Sequence, residues 1–143
     1  MTLTEVQKAE VQETLGRYSA AYQSKDLKAL LALLSPDING FGAGQDEIFK
    51  NRKEYAPLLK RDLMQATSIS LAFTDLNISG NGPVAWVMSG CNCTFAAEGN
   101  DKQTMRVRMT LGLRNTGSRW LIEQLHLSVP NTGQAPGQAF SGE

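Results

Sequence analysis

Polar and apolar positions follow a helical spacing from Leu3 to Gln23, where Val11, Leu15, Tyr18 and Tyr22 fall at i, i+4, i+7 and i+11. That stripe predicts one amphipathic helix with both tyrosines turned inward. Ser24 is the expected cap of a second helix that starts at Asp26, with "LKALLALL" as its buried face and Pro36 as its stop. "DINGFGAG" reads as a short extended piece punctuated by glycine, and "NRKEYAPLLKRDLMQA" as a third helix with Pro57 in its first turn.

After Thr67 the period changes to two. The turn clusters "SGNGP", "EGND" and "NTGS" divide the remainder into four β-rich segments. Each runs to about a dozen residues, against about 5 to 6 for a common strand, so these strands must twist and bend, with Gly90 and Gly112 as the expected bend points. The pattern therefore predicts helices first and a curved antiparallel meander after them. The final "NTGQAPGQAFSGE" has the composition of a loose tail. We expect one domain over residues 1–131 and a tail over 132–143.

Composition narrows the partners. The chain has 143 residues, with 14 basic and 14 acidic side chains that cancel, so it lacks the basic footprint of a nucleic-acid-binding protein. The first fifteen residues carry neither the apolar centre of a secretory signal nor a membrane-spanning run, and a cytoplasmic protein with no membrane partner is expected. Cys91 and Cys93 would share one strand face, a poor arrangement for a disulfide. A C-x-C pair without a second Cys/His pair also makes a poor structural metal site, so no metal and no cofactor are expected. In "GAGQDEIFKN" the glycines precede two acids and no G-K-[ST] follows, which excludes a phosphate loop.

The stretches "RYSAAYQSKDLKALLALLSPDI", "GAGQDEIF" and "RVRMTLGLRNTGSRWLIEQLHLSVP" closely resemble SnoaL-like proteins of the nuclear transport factor 2-like superfamily. That superfamily includes ketosteroid isomerase-like enzymes and the association domain of calmodulin-dependent kinase. The most specific part is W-x-I-x-x-x-H-x-S-x-P, matched by Trp120, Ile122, His126, Ser128 and Pro130. The resemblance implies a cone-shaped α+β (cystatin-like) domain in which a curved sheet wraps the helices, leaves a pocket at the open end and dimerises through the sheet. It also implies that Glu47 lies at the cavity rim.

Strand alternation sorts the candidate residues. In "WLIEQLHLSVP" one face holds Leu121, Glu123, Leu125 and Leu127, and the other Trp120, Ile122, Gln124, His126 and Ser128. If the leucine face covers the helices, Glu123 looks into the cavity and His126 outward into a dimer interface. In "MRVRMTLGLR" the face of Arg106, Arg108, Thr110 and Arg114 opposes an apolar stripe of Val107, Met109, Leu111 and Leu113. That stripe is an expected association surface. Arg108 is a candidate cavity cation for a carboxylate-bearing ligand, because a buried arginine needs a counter-anion. Tyr18 and Tyr22 are candidate hydrogen-bond donors, Glu123 and Asp75 candidate bases, and Trp86 a candidate cavity wall.

Fold resemblance does not fix chemistry. The expected function is a small-molecule pocket protein. The alternatives are an isomerase, cyclase or hydratase using Tyr with Glu or Asp, and an assembly domain.

Overall fold

The computed structural model describes residues 2–140. Helix α1 (Glu5–Gln23) opens on a reciprocal cap, in which the Thr4 hydroxyl accepts from the Gln7 amide while the Gln7 side chain accepts from Thr4 N–H. Val11, Leu15, Tyr18 and Tyr22 are all buried, as their spacing predicts. Ser24 closes α1, and it is Asp26 that caps α2 (Leu27–Ala32), accepting from the Ala29 amide at 3.0 Å. Helix α2 is one and a half turns long and ends before the expected proline stop. Pro36 lies inside β1 (Leu34–Phe41), which starts earlier than the glycine punctuation suggested.

After the two-residue β2 (Ile48–Phe49), Asn51 caps α3 (Arg52–Gln65) through its side chain to the Glu54 amide. Pro57 is the sixth residue of α3, past the first turn where we expected it. Four long strands follow: β3 (Ala66–Asn81), β4 (Val84–Ala97), β5 (Gln103–Asn115) and β6 (Trp120–Ser128). They form one sheet in the order β2-β1-β6-β5-β4-β3, antiparallel throughout except where β1 runs parallel to β6.

The bends fall beside the two predicted glycines. The β3–β4 register shifts between Thr74 and Asn77, opposite Gly90, with Asp75 at a left-handed φ of 52°. A Cβ on Gly90 would lie 2.5 Å from the Thr74 hydroxyl, which would have to move, so glycine lets the two strands approach here without that adjustment. In β6 the register skips from Gln124, opposite Gly112, to Ile122, opposite Leu113. Glu123 is therefore the extra residue of a bulge.

These bends let the inner sheet face wrap the helices. Ala85, Val87 and Cys91 of β4, Val107, Met109, Leu111 and Leu113 of β5, and Ile122 and Leu125 of β6 are buried with the stripe of α1. The β5 stripe thus belongs to the core, and its assignment to a dimer surface is corrected: only one apolar face per strand can meet the helices, and in β5 this is that face. The outer face of the sheet carries Trp86, Met88, Arg108, Gln124 and His126, all exposed. Beyond β6, residues 129–140 form turns and are exposed throughout. Among the described residues no helix is long and apolar enough to cross a membrane.

Candidate functional site

A cavity of about 340 Å³ lies between α1, α3, the 42–47 loop and the inner face of the sheet. Its walls come from inward positions of the long strands, such as Ile69, Leu71, Phe95, Met105 and Leu127. This volume is at the small end of the range of about 300 to 1,000 Å³ typical of ligand pockets.

The polar end is built by two helices. Tyr18 and Tyr22 are one turn apart on α1, and Tyr55 and Asp62 are two turns apart on α3, so all four project into the same space. The Tyr18 and Tyr55 hydroxyls are 3.1 Å apart. The rings of Tyr18 and Tyr22 meet edge to face at 5.1 Å, and Phe49 stacks on Tyr55 at 3.9 Å, which fixes the phenol orientations. Burial, followed by the neighbouring phenol, pushes the pKa values of Tyr18, Tyr22 and Tyr55 well above the ordinary tyrosine value. All three remain protonated at neutral pH and can donate a hydrogen bond.

Asp62 is half-buried, and among the described residues its carboxylate has neither a hydrogen bond nor an ion pair. Burial, then repulsion from Glu47, raises it to about 6, while the charge of Arg61 pulls the other way. Such a group changes protonation near neutrality, the property required of an acid–base residue. Cys93 also faces the cavity, and burial followed by the charge of Asp62 keeps it a thiol. Cys91 is buried, its thiol raised to about 11 by burial first and by Cys93 second.

Glu47 is held at the rim by its loop. Its carboxylate accepts from the Gly44 amide at 2.9 Å and lies 3.9 Å from the Arg61 guanidinium, which itself grips Asp46 at 2.6 and 3.4 Å. A methyl group on Gly42 or Gly44 would collide with that carboxylate. The glycines of "GAGQDE" thus wrap an acid side chain, a role unrelated to phosphate.

Four candidates for the cavity lie elsewhere. Trp86 is 55% exposed on the outer face, because the inward positions of β4 are the small Ala85 and Ser89 and the branched Val87. Arg108 is exposed on the same outer face, between Gly90 and Ser128. Glu123, displaced by its bulge, pairs with Arg114 at 2.6 Å and does not line the cavity. Asp75 sits exposed at the bend of β3. His126 points outward, its ring 5.5 Å from that of Phe41.

The sequence reading missed Tyr55 and Asp62. The signal was present: Tyr55, Leu59, Asp62 and Gln65 share one face of a segment recognised as helix, but candidate acids were sought on strands. Among the described residues no cluster of potential metal ligands occurs.

The profile of the SnoaL-like domain family matches residues 11–132. No curated protein matches the chain in sequence. Among solved structures, a candidate dehydratase of the nuclear transport factor 2-like family from Streptomyces avermitilis is 16% identical. It superposes with a TM-score of 0.83 over 90% of this chain and 100% of its own. A nuclear transport factor 2-like protein of unknown function from Pseudomonas putida KT2440 is 20% identical, with a TM-score of 0.81 over 99% of each chain. A candidate calcium/calmodulin-dependent protein kinase II association domain from Xanthomonas campestris is 15% identical, with a TM-score of 0.80 over 91% of each chain. At these identities the neighbours speak for the fold alone, while the profile match spans most of the sequence. The chain belongs to the SnoaL-like domain family.

Proposed function

We propose that this protein binds a compact, largely apolar small molecule in the cone cavity, with the ligand's polar group held against Tyr18, Tyr22, Tyr55 and Asp62. The observation that carries this reading is Asp62, a carboxylate without a hydrogen bond or ion pair among the described residues, which shares a mostly apolar cavity with three protonated phenols. A purely structural core would gain nothing from a charge left unpaired there. Calorimetry with 2-naphthylmethanol tests it: micromolar to millimolar binding is expected to the wild type, and none to a well-folded Ile69→Trp variant whose cavity is filled.

A second reading, acid–base catalysis on such a ligand, is favoured by one feature. Asp62 titrates at about 6 next to donors that keep their protons, the pairing needed to move one proton while stabilising an oxyanion. The Streptomyces neighbour's designation as a candidate dehydratase is consistent with it.

Association is proposed for the outer sheet face, where Phe41, Ile48, Trp86 and Met88 are exposed hydrophobics. This face replaces the β5 stripe in the homodimer reading, and His126 beside Phe41 keeps its place in it. An assembly role is compatible with the same surface. Sedimentation of the wild type as a dimer and of Trp86→Glu as a monomer is the expected outcome.

A further inference from the structure

The cavity contains charge of only one sign. Asp62 and Glu47 reach it, and among the described residues no lysine, arginine or histidine lines it. The nearby cations are engaged elsewhere. Arg61 grips Asp46 and lies 3.9 Å from Glu47, so its ion pairs are with the rim acids, and it acts on Asp62 only through its more distant charge. Lys25 donates to the Ala66 carbonyl at 2.6 Å, and Arg52 to the Leu34 carbonyl at 3.2 Å. Arg108 and Arg114 lie on the other side of the sheet.

The groups that act on Asp62 are Tyr18, Tyr22 and Tyr55 from the two helices, Cys93 from β4, Glu47 from the rim loop and, from outside the cavity, its chain neighbour Arg61. The phenols and the thiol are neutral at pH 7, so among the described residues no cation pairs with Asp62, and Arg61, held by Asp46, offsets its charge only in part. A carboxylate ligand would add a further negative charge to a poorly solvated space. A neutral ligand would leave Asp62 unpaired and strip it of water. A ligand ammonium group would supply the missing counter-charge, and the phenol oxygens in the same cavity can accept from it.

From this arrangement we infer that the cavity selects a hydrophobic amine, its ammonium group paired with the carboxylate of Asp62 and its apolar body against the sheet. The inference rests on the small-molecule reading above and replaces the carboxylate-bearing ligand expected from Arg108.

The test compares three probes with one skeleton, measured by calorimetry on the full chain: 2-naphthylmethylamine, 2-naphthylmethanol and 2-naphthoate. At pH 7.5 the amine is expected to bind at least about tenfold more tightly than the alcohol, and the naphthoate more weakly than either. The pairing requires ionised Asp62. A group titrating at about 6 is about one-tenth ionised at pH 5, so amine affinity falls about tenfold from pH 7.5 to pH 5 while alcohol affinity stays level. Asp62→Asn removes both the amine preference and its pH dependence, whereas Glu47→Gln, which removes the repulsion that raises Asp62, keeps the preference at pH 7.5 and moves its loss to lower pH. The wild-type pH profile decides the matter even where the Asp62 variant folds poorly. Equal affinity for amine and alcohol, or tighter binding of naphthoate, overturns the inference and leaves the pocket reading standing. Failure of all three probes to bind overturns both.

Discussion

The hydroxyls of Tyr18 and Tyr55, 37 positions apart in sequence, lie 3.1 Å from each other and tie α1 to α3 at the polar end of the cavity. One of them donates, so removing either oxygen leaves the other without this partner. Tyr18→Phe and Tyr55→Phe should each cost about 1 kcal/mol of unfolding free energy, and the double variant distinctly less than the sum. A strictly additive pair in a denaturation cycle would show that this bond contributes nothing.

Asp62 gives stability an unusual pH dependence. Its pKa is raised to about 6 in the fold, so between its unfolded value near 3.8 and 6 the folded state holds more protons than the unfolded chain. Stability from this group is present below the unfolded pKa and is lost as pH rises through 6. Asp62→Asn should therefore be more stable than wild type by about 1 to 2 kcal/mol at pH 7.5, discounting for partial exposure, with no difference by pH 3.5. Urea melts of both proteins at the two pH values measure it.

Two of the three arginines of β5, Arg108 and Arg114, exchange the weights that a cavity Arg108 would give them. Arg108 is exposed and has no ion pair among the described residues, while Arg114 holds Glu123 at 2.6 Å on a half-exposed surface. Arg108→Met should be silent within about 0.5 kcal/mol, and Arg114→Met should cost up to about 1 kcal/mol, an effect that high salt diminishes. Thermal melts at low and high ionic strength separate the two.

The core and the outer face should respond in opposite ways. Leu111 is 3% exposed under the helices, and truncation to alanine should cost about 2 to 5 kcal/mol. Met88 is 66% exposed, and Met88→Ala should leave monomer stability nearly unchanged while weakening any dimer. Equilibrium unfolding at two protein concentrations reads both quantities.

We propose that residues 133–143 form a dispensable tail. Its described part is exposed, including Phe140 at 85%, so it buries little to offset its ordering entropy. Deleting it should leave the melting temperature within about 2 °C.

The fold was legible because period and turn signals were strong: the stripe of α1, the β segments after Thr67 and the bends at Gly90 and Gly112 are all local features. Alternation sorts a strand into two faces but does not say which one meets the helices, and the β5 stripe was misassigned for that reason. A bulge breaks the parity itself. Once Glu123 is looped out, Leu121 and Leu125 no longer share a face, and the acid expected inside pairs with Arg114 outside. Trp86 misled through its chemistry, since a large aromatic is expected inside, yet the inner positions of β4 were already filled by smaller residues. Asp62 shows the remaining limit. Its helix was recognised, but the approach of α3 to α1 that sets it beside Tyr18 is tertiary geometry, which no local pattern carries.

The central claim is that the cavity, with Asp62 and the three tyrosines at its polar end, is where a small molecule binds. The most direct measurement is an amide chemical-shift map of the ¹⁵N-labelled protein titrated with 2-naphthylmethylamine at pH 7.5. The account predicts saturable shifts clustered at Tyr18, Tyr22, Asp62, Phe95 and Met105. Shifts confined to Phe41, Trp86 and His126 on the outer face, or no saturable shifts at all, would contradict it.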